Sequence, residues 1–172
     1  MKALVFIASC ALTTISVAAT AAFDEDDEIE GVRRGSPVSL PAVPQDKELL
    51  EFDGGVLTRN HFFVDGSSVS IQADGEVRYV LVVRTPGGGI NVTYEGLRCD
   101  ERRFRVYHFG RPDGAWVRAR RDDWTLIENQ PLNQHRKTLF RDVFCAQGTV
   151  DSPEAARQAL RNSRPLANVG AQ

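Results

Sequence analysis

The stretch VRYVLVVRTPGGGINVTYEGLRC, residues 77–99, decides the fold. Residues 77–85 are apolar on both alternating faces, which is typical of a central strand covered on both sides. Pro86 and three glycines follow and predict a tight turn. Residues 90–97 then alternate apolar and polar side chains, which indicates a second strand. The stretch therefore predicts an antiparallel hairpin inside a sheet.

The flanking sequence extends this hairpin into a meander with helices at its end. Short apolar runs between turn residues predict further strands at 68–72, 103–109, 116–119 and 124–128. Apolar pairs four residues apart then predict a helix from Asn133 to about Phe144. Ser152 and Pro153 predict the cap and first residue of a short second helix. The predicted fold class is α+β, an antiparallel β-meander sheet packed by a C-terminal α-helix.

The chain divides into four predicted regions. Residues 1–21 combine Lys2, an uncharged apolar stretch and small residues at its end, which predicts a cleaved signal peptide. Residues 22–47 are acidic and contain prolines, which indicates a flexible arm. Residues 48–164 predict a single α+β domain, followed by a disordered tail at residues 165–172.

These regions predict an exported periplasmic protein. No stretch after the leader is long and apolar enough to cross a membrane, so the mature chain is expected to have no transmembrane segment. The alternative is a lipid anchor on Cys10, since the residues before it resemble a lipoprotein box.

Two cysteines, Cys99 and Cys145, remain once the leader is removed. In an oxidising compartment an even number of cysteines favours a disulfide, and the alternative is two free buried thiols. The close spacing of redox-active cysteine pairs is absent. We therefore expect a structural bond that ties the end of a strand to the end of a helix.

Several short sequence motifs, taken together, are characteristic of a known family. They are residues 62–65, residues 77–79 through 94–99, residues 109–111 with Trp116, and residues 127–129 through 144–145. In this order and spacing the chain resembles the cryptic neisserial protein-like family over residues 48–162. The resemblance implies a bacterial protein exported to the periplasm, with no established activity and no catalytic residues to transfer. Some members of that family are suspected lipoproteins.

Charge is unevenly spread along a chain whose net charge is −2. Acidic side chains dominate residues 22–58, and basic ones are in excess in residues 98–141. Both regions can be ordinary solvated surface; alternatively, the arm lies on the basic region, or that region meets an anionic partner. Nucleic acid is not an expected partner, because the overall balance is acidic.

The candidate binding surface is a set of arginines with one tryptophan. Guanidinium groups pair with carboxylates and phosphates, and an indole ring stacks on cations. The expected partner is an envelope protein or an anionic ligand such as a lipid headgroup or glycan. The alternative is a solvated sheet face on which arginine stems cover apolar surface. The set comprises Arg103, Arg105, Trp116, Arg118, Arg120, Arg136 and Arg141.

Histidines are the natural place to look for catalysis or metal binding. His61, His108 and His135 have no metal-ligand spacing, so no metal and no cofactor are expected. His108 is predicted to be a core residue on the strand face of Phe104 and Val106, whereas His135 is predicted to be exposed.

The sequence thus favours a non-enzymatic envelope binding module and contains no recognisable catalytic motif. The alternative is a hydrolase acting on cell-envelope material. That alternative requires His108 within hydrogen-bond reach of Asp65 or Glu95 in a deep pocket.

Overall fold

A computed structural model describes residues 37–55, 58–128 and 133–163. The predicted signal peptide, Cys10 and the predicted tail at 165–172 lie outside the described residues. Within the described ranges, no helix is both long enough and apolar enough to span a membrane.

The described strands form one antiparallel sheet in which neighbours along the chain are neighbours in space, from β1 to β6. A short strand, β7, pairs with β5 beside this series. The predicted antiparallel meander is therefore confirmed. The strands are β1 Leu49–Phe52, β2 His61–Ile71, β3 Val77–Arg84, β4 Ile90–Arg98, β5 Arg103–Gly110, β6 Trp116–Arg118 and β7 Thr125–Leu126.

The β3–β4 hairpin forms at the predicted place. Its turn closes through a 2.9 Å hydrogen bond from the Thr85 amide to the Gly89 carbonyl. Gly88 lies in this turn with a φ of 82°, a conformation that side chains with a Cβ rarely adopt. Residues of β3 are buried on both faces, because Tyr79 belongs to one apolar cluster and Val80 to another. The sequence pattern of a doubly covered strand is thus confirmed.

The helical part departs from a regular α-helix. A 3-10 helix spans Asp46–Glu48, α1 spans Gln134–Thr138 and α2 spans Pro153–Asn162, with a π-helix at Leu139–Phe144 between α1 and α2. The predicted helix up to about Phe144 is therefore present, but its second half is a π-helix rather than an α-helix. The Cys145 amide donates to the carbonyl of Phe140, five residues back, at 3.0 Å. The wider turn accommodates burial of both Val143 and Phe144.

The two predicted helix caps have different outcomes. Ser152 caps α2, since its hydroxyl accepts from the Ala155 amide at 3.1 Å. Asn133 precedes α1 as expected but makes no capping bond. Its side-chain oxygen instead accepts a hydrogen bond from the Arg136 guanidinium at 3.1 Å, so it does not accept from a backbone amide of the first helical turn.

The helices cover one face of the sheet, which we call the helix-covered face and define by Tyr79, Leu81, Glu95, Leu97 and Phe104. Its apolar side chains pack against the buried residues of the π-helix and of α2, including Leu139, Val143, Phe144 and Leu160. The predicted disulfide is confirmed: Cys99 is bonded to Cys145, with 5.4 Å between their Cα atoms. It joins the end of β4 to the end of the π-helix.

Candidate functional site

A β-bulge controls which side chains reach the opposite face of the sheet. Between β4 and β5 the register shifts, so that Glu95 lies opposite Val106 but Tyr94 lies opposite His108. Tyr107 is the extra residue, and beyond it the alternation of β5 is reversed. The prediction that His108 shares a core face with Phe104 was therefore wrong. Sequence alternation alone cannot reveal this, because an extra residue leaves no mark in the apolar pattern.

That opposite face carries guanidinium groups and aromatic rings in alternation. The Cζ atom of Arg98 lies 4.4 Å from the Trp124 ring centre. Arg105 follows, 6.0 Å from the Trp124 ring centre and 4.9 Å from that of Tyr107, and Arg78 lies 5.0 Å from the Tyr107 ring centre. Cation–π contacts at such distances contribute about 0.5–2 kcal/mol each. We call this surface the arginine–aromatic face and define it by Arg78, Tyr94, Arg98, Arg105, Tyr107, Trp116, Arg118 and Trp124.

A buried ion pair fixes the floor of this face. Arg78 donates from two nitrogens to the two carboxylate oxygens of Glu76, each at 3.0 Å, and both residues are buried. The Tyr107 hydroxyl donates to Glu76 at 2.6 Å. Burial, followed by the bond to Glu76 and its charge, raises the pKa of Tyr107. A Cβ on Gly96 would collide with Glu76, so only glycine leaves room for this arrangement.

Asp122 organises the outer edge of the face. Its Oδ2 accepts from Arg105 at 3.0 Å and from Arg118 at 2.9 Å. Hydrogen bonds from Arg118 and then Arg105 lower the pKa of Asp122, which is therefore ionised at neutral pH. Two guanidinium groups thus meet one carboxylate, and this cluster keeps one net positive charge.

A segment of the chain itself crosses the arginine–aromatic face. We call residues 37–44 the strap; they belong to the last part of the predicted arm. Arg78 donates to the carbonyl of Pro37 at 2.8 Å, and the indole nitrogen of Trp116 donates to the carbonyl of Pro41 at 3.0 Å. Val43 lies near the β5–β6 turn, where a Cβ on Gly114 would come within 3.3 Å of it. The strap is therefore attached at both ends.

Two pockets lie along the strap. The serine pocket, of about 420 Å³, is lined on the sheet side by Asp65, Ser67, Ser68, Ser70 and Tyr94, among others. The arginine pocket, of about 360 Å³, is lined by Pro37 and Val38 of the strap and by Arg105, Tyr107, His108, Arg118 and Asp122 of the sheet side. Burial and then the charge of Arg118 lower the pKa of His108, so its ring is neutral at neutral pH.

Comparison with known proteins gives one family match. A family model, described as the CNP1-like family, matches residues 33–162, well over half of the chain. The chain belongs to the CNP1-like family. This bacterial family of unknown function is the one that the sequence resemblance indicated. No curated protein and no solved structure matches the chain.

The CNP1-like match includes the strap as well as the sheet, because it begins at residue 33. Within the matched region, three of the seven predicted binding residues lie together on the arginine–aromatic face: Arg105, Trp116 and Arg118. The sequence analysis missed the other members of this face, which are Arg78, Tyr94, Arg98, Tyr107 and Trp124, and it also missed Glu76, the carboxylate partner of Arg78. The position of Arg78 within an otherwise apolar strand could have indicated this pair, since a buried arginine needs a carboxylate partner.

Three other predicted arginines of this CNP1-like chain have their own surroundings. Arg103 donates to the carbonyl of Trp124 at 3.0 Å. Arg141 is exposed and pairs with its neighbour Asp142 at 2.7 Å. Arg120 is exposed beyond the end of β6. The structure does not gather these three with Arg105 and Arg118 at one pocket.

Arg136 lies on the helix-covered face, where it pairs with buried Glu95. Its Nε and Nη2 donate to the two oxygens of Glu95, at 3.0 Å and 2.6 Å. Thr93 and Tyr79 donate to the same carboxylate, at 2.8 Å and 3.3 Å. Burial alone raises the pKa of Glu95, but the charge and hydrogen bonds of Arg136 outweigh it and hold the pKa below its usual value. Arg136 therefore attaches α1 to β4.

The three residues of the hydrolase alternative are separated in this CNP1-like fold. Asp65 lines the serine pocket, where it accepts from the amide and hydroxyl of Ser67 at 2.9 Å and 2.7 Å. His108 lines the arginine pocket, and its buried Nδ1 has no hydrogen-bond partner among the described residues. Glu95 lies on the other face. Within the described ranges, no group of histidine, cysteine and carboxylate side chains is placed to hold a metal ion.

His135 is buried, so the prediction of an exposed first-turn residue was wrong. Its ring stacks on Phe62 of β2, with 4.8 Å between ring centres. The neighbouring Arg136 turns towards Glu95, and this docking of α1 carries His135 onto the sheet. Burial, and then the charge of Arg136, lower the pKa of His135 to about 4, against a weaker opposite effect of Glu95.

We expect this buried histidine to make stability depend on pH. The unfolded chain takes up a proton near pH 6.5, whereas the folded chain does so near pH 4. Between these values the unfolded state binds more protons, so the free energy of unfolding falls as pH falls, by about 3 kcal/mol in total. Urea unfolding across this range should show a steeper pH dependence for the parent than for His135→Phe. Equal slopes in the two proteins would contradict the assignment.

Proposed function

We propose that this CNP1-like protein is an exported, non-enzymatic module that binds an anionic group of a cell-envelope ligand in the arginine pocket. The observation that supports this proposal is the convergence of Arg105 and Arg118 on one open pocket, with Asp122 holding both. Asp122 offsets only one of the two positive charges. An arriving carboxylate or phosphate therefore meets a net positive, already ordered cluster.

The two guanidinium groups have complementary properties for this purpose. The Arg105 side chain is only 26% exposed and stacks on Tyr107, so its position is fixed. The Arg118 side chain is 76% exposed and keeps donors free of the Asp122 bond for a ligand. Pro37 and Val38 form an apolar wall opposite them. This combination suits an anionic group attached to an apolar or extended ligand.

Export through residues 1–21 and a periplasmic location are part of the proposal. A disulfide between Cys99 and Cys145 supports them, because such bonds persist in oxidising compartments such as the bacterial periplasm. A lipid anchor at Cys10 is the alternative route to the same compartment. The hydrolase alternative has less support, since its histidine and carboxylates lie at three separate places.

Phosphate binding tests the proposed site. Inorganic phosphate is expected to shift the amide resonances around His108 and Arg118, and Arg118→Gln should weaken its binding about tenfold by removing a charge-assisted hydrogen bond. NMR titration measures both the affinity and the location. Arg141→Gln is the matched control, because Arg141 is 64% exposed and also pairs with one aspartate. Unchanged phosphate binding by Arg118→Gln, or an equal loss in the control, would contradict the proposal.

A further inference from the structure

The strap shows what kind of chain the arginine–aromatic face can hold. Among the described residues, two hydrogen bonds run from the sheet to the strap, and they end on the backbone carbonyls of Pro37 and Pro41. Every residue offers a carbonyl, so this mode of recognition depends on backbone path more than on side-chain identity. The donors themselves are fixed, because Arg78 is buried against Glu76 and Trp116 packs on Tyr94 with 6.2 Å between ring centres.

The strap is also of a chemical type that such faces recognise. It contains three prolines, at positions 37, 41 and 44. Proline favours the extended polyproline II conformation, which leaves backbone carbonyls unbonded and free to accept. Grooves lined by aromatic rings are a recurrent way to bind such segments. Here the rings are Trp116, Tyr94 and Tyr107, spaced at 6.2 Å and 5.9 Å.

The attachment of the strap is of a kind that can be exchanged. Among the described residues, no backbone-to-backbone hydrogen bond joins residues 37–44 to a strand. Its large apolar side chains, Val38, Leu40 and Val43, are exposed by 40%, 44% and 51%. The strap therefore lacks both the ladder and the apolar burial that make a strand a permanent part of a sheet.

We propose that one part of the arginine–aromatic face, formed by Arg78, Tyr94, Tyr107 and Trp116 together with the arginine pocket, is the docking site for an extended, proline-containing segment of another envelope protein, and that the strap occupies this site when that partner is absent. Arg98 and Trp124 lie outside this part of the face. The partner's acidic side chain is the anionic group of the arginine pocket, so this inference rests on the proposed function. Pro37 and Val38, at the N-terminal end of the strap, line that pocket. A partner segment that replaces the strap along the same path therefore brings its own N-terminal end, with the acidic residue, to the pocket.

A peptide-binding experiment with the full-length chain tests this proposal. The probes are a fluorescein-labelled peptide with the sequence of residues 35–46 and its Val38→Asp version. Pro37→Gly/Pro41→Gly in the protein loosens the strap through the entropy of glycine and leaves the face intact. We expect this variant to bind the peptide about tenfold more tightly than the parent, because its own strap competes less. The Val38→Asp peptide should bind several-fold more tightly again, because position 38 lines the arginine pocket and its carboxylate can pair with Arg105 and Arg118.

Two tryptophan variants serve as a matched pair. In the loosened protein, Trp116→Phe keeps an aromatic ring but removes the donor to the peptide carbonyl, and we expect about a fivefold loss of peptide affinity. Trp124→Phe removes the other tryptophan, which stacks on Arg98 and makes no bond to the strap, and should bind as before. If the loosened variant unfolds, the indole N–H resonance of Trp116 in the parent is the readout. It should shift as excess peptide replaces the strap.

The outcomes separate this inference from the proposed function. Peptide binding that is absent, or no tighter in the loosened variant, or a Trp116 resonance that excess peptide leaves unmoved, overturns the inference. If phosphate still binds near Arg118 in that case, the proposed function stands alone. Binding of phosphatidylglycerol vesicles without peptide binding assigns the face to a membrane surface and also overturns the inference. If neither phosphate nor peptide binds, both proposals fail.

Discussion

Replacement of Arg136 by alanine is expected to lower the free energy of unfolding by about 3–5 kcal/mol, which is typical when one partner of a buried ion pair is removed. Glu95 is fully buried, and Arg136 supplies two of the donors to its carboxylate. Without that guanidinium the charge is only partly compensated by Thr93 and Tyr79. The stacking of Arg136 on Phe104, at 4.1 Å, is lost as well.

Urea unfolding at neutral pH measures this loss. Arg141→Ala provides the control, because Arg141 follows on the same helical segment but is exposed, and its removal should change stability by less than about 0.5 kcal/mol. Glu95→Leu/Arg136→Met, which removes both charges and keeps the volume, should be more stable than Arg136→Ala alone. A loss of under 1 kcal/mol in Arg136→Ala, or a double variant less stable than the single one, contradicts this account.

The local parts of the fold could be predicted from the sequence because each depends on residues that are neighbours in the chain. The alternation in residues 90–97 and the glycines before them predicted β4 and its turn, and Ser152 with Pro153 predicted the start of α2. These signals depend on periodicity and backbone conformation over a few positions. The meander itself followed from short connections between successive strands.

The candidate site was harder to predict from the sequence because it depends on strand register and on pairs of residues that are far apart in the chain. One bulge moves His108 from the core face to the arginine pocket. Glu95 and Arg136 are 41 positions apart in sequence, and nothing local marks them as partners. The burial of His135 follows from that pair, because Arg136 draws α1 onto the sheet. The hydrogen bonds to the strap join residues that are still further apart in sequence, since 75 positions separate Trp116 from Pro41.

Reduction of the Cys99–Cys145 disulfide is expected to cost about 4 kcal/mol in stability, from the chain entropy of closing a loop across 46 positions. Since the free energy of unfolding of such domains is about 5–15 kcal/mol in total, the reduced protein retains a much smaller free energy of unfolding. Urea unfolding with and without a thiol reductant measures the difference. Coinciding unfolding curves would contradict a stabilising role for the bond.

The disulfide and the Arg136–Glu95 pair hold opposite ends of one helical segment against the sheet. Arg136 attaches the start of the segment to β4, and Cys145 attaches its end just after β4. With either attachment intact, residues 134–144 stay docked and continue to bury Leu139, Val143 and Phe144. Cys99→Ala/Cys145→Ala combined with Arg136→Ala should therefore lose more stability than the sum of the separate losses, by about 0.5–3 kcal/mol. Amide hydrogen exchange in residues 134–144 should rise in the combined variant before exchange in β3. Additive losses, with exchange rising equally in both places, would mean that the two attachments act independently.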